Sequence, residues 1–142
     1  MFAQNVDFKM YLATQFFFES SSFEKWEAHL ISLNNNLDIH AGIPGPATLK
    51  TLISFATSCG ISNSIRFLSK QVLNISKLAI SKTPDKLIAD LAEYKQMNPS
   101  SKLSKLHFYA FGGIKKTSSW LNLIINSSLD IKSNNEFEPI KK

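Results

Sequence analysis

Apolar and polar positions alternate along the chain in a way that divides it into strands separated by helices. Residues 11–18 (YLATQFFF) are apolar on both faces apart from Thr14 and Gln15. Runs of that kind belong to strands covered on both sides, as in parallel sheets, so Tyr11 to Phe18 is read as a first buried strand. Beyond it, Ser21-x-x-Glu24 has the form of a capping box, and Phe23, Trp26, Leu30 and Leu33 recur at helical spacing until Asn34-Asn35-Asn36 stops the helix. A second strand is expected from Ile39 to Ile43, running into Pro44-Gly45-Pro46.

The pattern turns helical again from Thr48, with Leu49, Leu52, Ile53 and Ala56 on one stripe and Gly60 placed as the stop. A further helix is expected over about Ser62 to Ala79, with Ile65, Leu68, Val72 and Ile75 on its apolar face. Thr83-Pro84-Asp85 is a helix start, with proline at the first helical position and an acid in the first turn, and that helix runs to Asn98-Pro99. Leu106 to Phe111 (LHFYAF) reads as a third buried strand, Gly112-Gly113 as a sharp turn, and Thr117 to Asn126 as a last helix with Leu121, Ile124 and Ile125 facing in. The chain after Ser128 reads as a polar, frayed tail.

Strands separated by helices pair in parallel through right-handed crossovers, so the fold class is α/β. Three parallel strands leave two open edges and too few helices to cover both faces. The chain therefore reads as a piece of a larger architecture.

Composition narrows the classes. With 142 residues, 44% hydrophobic and 19% charged, the chain is sized for one folded domain. The sixteen Lys and Arg are nearly all lysine, scattered singly, with short pairs only at Lys115-Lys116 and Lys141-Lys142, the pattern of a solvated surface and not of a nucleic-acid patch. A single cysteine, Cys59, excludes an internal disulfide and suits a reducing cytosol. The segment MFAQNVDFKM lacks a basic region followed by an apolar stretch, and no apolar run reaches transmembrane length, so the expectation is a soluble cytoplasmic protein without a membrane partner.

Within the first strand, Gln15 stands out. An amide inside an apolar run costs free energy unless something hydrogen-bonds to it, so it is either paired within the protein or set to meet a ligand. In a regular strand Ala13, Gln15 and Phe17 share one face, which then carries a small residue, an amide and an aromatic. Phe55 lies roughly 110° from the centre of its helix's apolar stripe at about 100° per residue, so core packing does not claim it. Glu19 follows the strand and is placed either to touch a ligand or to sit near the next helix's N-terminus. The histidines His29, His40 and His107 are too dispersed for a metal site, and His40 and His107 are expected to be buried structural residues.

TQFFF ending one strand, GIPGP ending the next and LHFYAF ending the last together resemble the C-terminal part of the methylenetetrahydrofolate reductases, FAD-dependent (β/α)8 barrels. The resemblance runs from about Tyr11 to Asn126 and implies a partial TIM barrel: strands six, seven and eight, with extra helices between the second and third strands of this chain. It implies a barrel segment over 1–128 and a separate tail over 129–142. In such an enzyme FAD carries a hydride from NAD(P)H to 5,10-methylenetetrahydrofolate. The resemblance places Gln15 where the family's glutamine contacts the pterin, and Phe55, by ungapped spacing, where an aromatic residue packs on the folate. Phe17 and Glu19 stand beside them as further substrate-side candidates.

This chain departs from the family at its third strand. Several members have a Leu-Asn-Arg sequence where Phe111-Gly112-Gly113 stands here, which removes the arginine on the glutamate side of the folate. Gly112 and Gly113, leading to Lys115, Lys116 and Thr117, are instead read as a candidate anion cradle at a helix start, with a tight turn as the simpler alternative. The family's proton-donating glutamate and most FAD contacts lie in the first five strands, which have no counterpart here. The second expectation is accordingly a non-catalytic half-barrel that binds a partner chain or regulates a full-length homologue, and that self-associates into a homo-oligomer through its open strand edges.

Overall fold

A computed structural model describes residues 9–61, 79, 81–126, 129–131 and 137–139. The helix expected over 62–79 lies, but for residue 79, outside the described residues. Three strands form a parallel sheet in the order β1-β2-β5: β1 (Tyr11–Phe16), β2 (Asp38–Pro44) and β5 (Leu103–Tyr109). Short pairs flank it, β3 (Ala47–Thr48) against β4 (Ser81–Lys82), and β6 (Leu129–Ile131) against β7 (Phe137–Pro139), both antiparallel. The helices are α1 (Ser20–Ser32), α2 (Leu49–Ser58), α3 (Asp85–Met97) and α4 (Ile114–Asn126). The chain is thus mixed α/β around a three-stranded parallel sheet. The tail expected to fray instead carries the β6–β7 pair, and the backbone N–H of Phe137 donates to Asp85 at 3.3 Å.

One sheet face is closed by helices. Ile39, Ala41 and Ile43 of β2 pack with Leu103 of β5, Phe23 of α1, and Leu87 and Leu91 of α3, all buried. Phe108 turns to the same side and meets the edge of Trp120 from α4 at 5.8 Å. Burying such side chains contributes about 1.5–3 kcal/mol each relative to exposure, the main force holding the helices to the sheet.

The opposite face is open over its first half. Tyr11, Ala13, Lys105 and His107 are exposed, and Tyr11 stacks on His40 at 3.9 Å between ring centroids. β1 and β5 are therefore not the doubly buried strands the apolar runs suggest. His107 is exposed, not buried; its ring meets the edge of Tyr109 at 5.0 Å.

Helix ends follow local chemistry. α2 starts at Thr48, whose hydroxyl accepts from Thr51 N–H at 3.2 Å, and ends at Cys59 with Gly60 left-handed (φ 68°). Gly60 N–H then reaches the Thr57 carbonyl and Ile61 N–H the Ala56 carbonyl, the paired bonds of a Schellman end. α1 ends in the same manner, with Asn34 (φ 57°) in the glycine's role. Its start differs from expectation: Glu19 is the N-cap, no side chain caps the end, and the Ser21/Glu24 box does not form. Pro84 likewise stands at the N-cap of α3 and not inside it.

α4 begins three residues before the expected Thr117, directly after Gly113, and Ile125 is 74% exposed instead of facing in. Leu33, the C-cap of α1, is exposed, while the fully buried polar residue on that helix is Glu27. Its carboxylate accepts from Ser101 Oγ at 2.9 Å, Lys102 N–H at 2.6 Å and Tyr94 Oη at 2.7 Å. This joins α1, α3 and the entry to β5 at the end of the sheet away from the strand C-termini. A buried carboxylate is tolerated because its lone pairs are met by donors.

Candidate functional site

The sequence-derived residues converge on the C-terminal end of the sheet, and a bulge in β1 decides how they point. Ala13 stands opposite His40 and Phe16 opposite Gly42, so three steps along β1 match two along β2. The extra residue reverses the side-chain alternation. Leu12 and Phe17, five residues apart, both pack on the helix-covered face, whereas Phe16 packs on the other side with Leu49, Leu52 and Ala56 of α2.

Gln15 lies within this bulge and is exposed. Its Oε1 accepts from Phe16 N–H at 3.1 Å, so the amide oxygen is engaged by the backbone within an exposed side chain. The bulge needs Gly42: a Cβ there would stand 2.7 Å from the Thr14 carbonyl and 2.8 Å from that of Gln15. Thr14 Oγ1 meanwhile accepts from Gly42 N–H at 2.8 Å and donates to the Gln15 carbonyl at 2.8 Å.

The expectation that Gln15 and Phe17 share a face is overturned by this geometry. Phe17 is buried and stacks on Phe23 at 5.7 Å, on the helix side. Glu19 is exposed at the α1 N-cap, where its carbonyl accepts from Ser22 N–H at 3.2 Å.

Phe55 projects from α2 off the buried stripe, as its spacing predicts, and is 40% exposed. One side of its ring is covered by Phe111, with centroids 4.3 Å apart and planes 20° from parallel. Phe111 in turn lies over Tyr109 at 5.6 Å and 25°, and Phe16 meets both rings edge-on at 4.7 and 5.4 Å. Tyr109 closes the set by donating from Oη to the Thr14 carbonyl at 3.0 Å. Rings in offset-stacked and edge-to-face pairs gain about 0.5–1.5 kcal/mol beyond their burial, so the cluster is a stiff aromatic block and not a loose patch.

Tyr109 and Phe111 lie in the segment read from the sequence only as a buried strand and its end. Their signal was the alternate spacing of aromatics in HFYAF, which places His107, Tyr109 and Phe111 on one side.

At the loop after β5, Gly112 stands against backbone: a Cβ there would lie 2.0 Å from the Pro46 carbonyl oxygen. Gly113 has φ 98°, a conformation that favours glycine, and its carbonyl accepts from Thr117 N–H and Oγ1, both at 3.1 Å. A close approach of two loops and a left-handed turn thus explain both glycines without an anion.

The structure therefore brings Gln15 and Phe55 to the same end of the sheet, linked through Thr14, Tyr109 and Phe111. Phe17 is directed away. Among the described residues, no helix is long and apolar enough to cross a membrane. No family model matches the chain.

Proposed function

We propose that this chain is the last three βα units of a (β/α)8 barrel of the methylenetetrahydrofolate reductase type, and that its role is to hold the pterin of a folate. The observation that carries this reading is the placement of an exposed amide, Gln15, at the C-terminal end of a parallel strand, beside an aromatic block that leaves Phe55 partly open. Ligands of barrel folds are held at that end of the strands, where loops can vary without disturbing the core. A pterin offers both complements at once: a donor–acceptor edge for a carboxamide, and a flat face for an aromatic ring.

In the assembled reductase FAD would transfer the hydride from NAD(P)H to 5,10-methylenetetrahydrofolate, giving 5-methyltetrahydrofolate. In that reading the described residues would supply one wall of the site, and none of them is assigned to the flavin or to proton donation. The work of this chain's residues is orientation: Gln15 fixes the pterin edge and Phe55 its plane. Glu19, exposed four residues after Gln15, is the remaining substrate-side candidate. The test is Gln15→Ala in an assembled active form; folate binding and turnover that stay at the wild-type level would refute the assignment.

A second reading is supported by the edges of the sheet. β1 and β5 each pair on one side only among the described residues, and open parallel edges invite another chain. In that reading the chain is a non-catalytic half-barrel completed by a second copy or a partner. It predicts concentration-dependent association in sedimentation experiments, and a stable monomer that never associates would count against it.

A further inference from the structure

We infer that Phe111 is a positioning residue for the stacking ring of Phe55, and that Tyr109 and Phe111 back that ring as a support against which a planar heterocycle stacks on Phe55. The inference rests on the reading of Phe55 as the residue that stacks on the ligand. It goes beyond that reading by assigning a role to Phe111, the residue ahead of the glycines at which this chain departs from the family pattern.

A phenylalanine on the outer side of a helix, 40% exposed, has freedom about its χ angles unless something fixes its plane. Here Phe111 covers one side of the ring at 4.3 Å and 20°. Phe111 is itself held from two further directions, by Tyr109 at 5.6 Å and 25° and by the edge of Phe16 at 4.7 Å. Tyr109 is anchored through its hydroxyl to the Thr14 carbonyl, the residue preceding Gln15. The plane of Phe55 is therefore tied through one series of contacts to the backbone beside Gln15. A ring already fixed in its plane reduces the ordering cost of stacking a ligand on it.

Two substitutions separate this role from packing. Phe111→Leu keeps apolar volume and removes the ring, whereas Phe111→Tyr keeps the ring. Using 5-methyltetrahydrofolate as the probe and isothermal titration of the full chain, Phe111→Leu is expected to weaken binding about 3- to 10-fold and Phe111→Tyr to keep wild-type affinity, the range set by one aromatic pair. In the ligand-free chain, NMR should show the Phe55 ring protons moved upfield by the overlying ring, and moved back downfield in Phe111→Leu.

Unchanged Phe55 resonances in Phe111→Leu would overturn the positioning role whatever the ligand. Wild-type affinity in Phe111→Leu, alongside lost affinity in Phe55→Leu, would overturn it as well while leaving the pterin reading intact. Absence of binding to the wild-type chain would instead remove the pterin reading, and this role for Phe111 with it.

Discussion

The hydroxyl of Tyr109 donates to the carbonyl of Thr14 at 3.0 Å, joining β5 to β1 across the intervening strand β2. Gly42 of β2 lies against the same Thr14 carbonyl, and its missing side chain lets the β1 bulge fold down. Two strands that never pair are thereby held in register at the end of the sheet where Gln15 emerges.

Removing that hydroxyl should be measurable. Tyr109→Phe is expected to lower stability by about 0.5–1.5 kcal/mol, the net worth of one hydrogen bond, while the ring contacts persist. Urea unfolding monitored by circular dichroism would give the value. A variant as stable as the wild type would mean that the bond does not tie the strands.

Gly42→Ala should be more damaging than its size suggests. The new methyl group would stand 2.7 and 2.8 Å from two backbone carbonyls, neither at the end of a flexible side chain. Overpacking of this kind costs about 1–3 kcal/mol, so thermal unfolding should begin several degrees earlier. An unchanged midpoint would show that the bulge has room the geometry denies.

The two glycines after β5 should respond unequally. Gly112→Ala drives a methyl onto the Pro46 carbonyl and requires one loop to move, whereas Gly113→Ala pays only for a left-handed residue, about 1–2 kcal/mol. Urea unfolding should rank Gly112→Ala as the worse of the two. If instead both are stable and phosphate protects the wild type alone, the glycines are an anion cradle.

The buried Glu27 predicts both a mutational and a pH effect. Glu27→Ala leaves Ser101 Oγ, Tyr94 Oη and Lys102 N–H without their acceptor and should cost at least about 3 kcal/mol. Burial first, then the hydrogen bond and charge of Glu27, push the Tyr94 phenol above its usual range. Because the folded state holds that proton more tightly, the contribution is intact below the ordinary tyrosine pKa of about 10 and declines as pH rises beyond it. Denaturant midpoints measured from pH 8 upward should therefore fall in the alkaline range, with a shallower decline in Tyr94→Phe. Equal slopes would separate Tyr94 from alkaline unfolding.

Much of this was readable from the residues. The stripe Leu49, Leu52, Ile53 and Ala56, the stop at Gly60, the termination at Asn34 and the outward position of Phe55 all follow from periodicity and turn chemistry, which act over a few residues. What escaped was set by neighbouring strands. β5 begins at Leu103, not Leu106, because a register shift near Ser104 interrupts the alternation that marks a strand. The orientation of Phe17 was lost to the β1 bulge, which a period-two argument does not anticipate. Glu27 did carry a signal, since it sits on the Phe23–Leu30 stripe where an acid should be absent unless paired. The pairing of Phe55 with Phe111 joins residues 56 positions apart in sequence.

The central claim is that Gln15 and Phe55 hold a pterin, and titration of the full chain with 5-methyltetrahydrofolate, wild type against Gln15→Ala, tests it most directly. Gln15→Ala also removes the acceptor of Phe16 N–H, so stability should be lowered by about 0.5–1.5 kcal/mol while the chain stays folded. Saturable wild-type binding, weakened about 3- to 10-fold in Gln15→Ala at a temperature where both proteins are folded, is the predicted result. Equal affinities in the two proteins, or no binding to either, would contradict it.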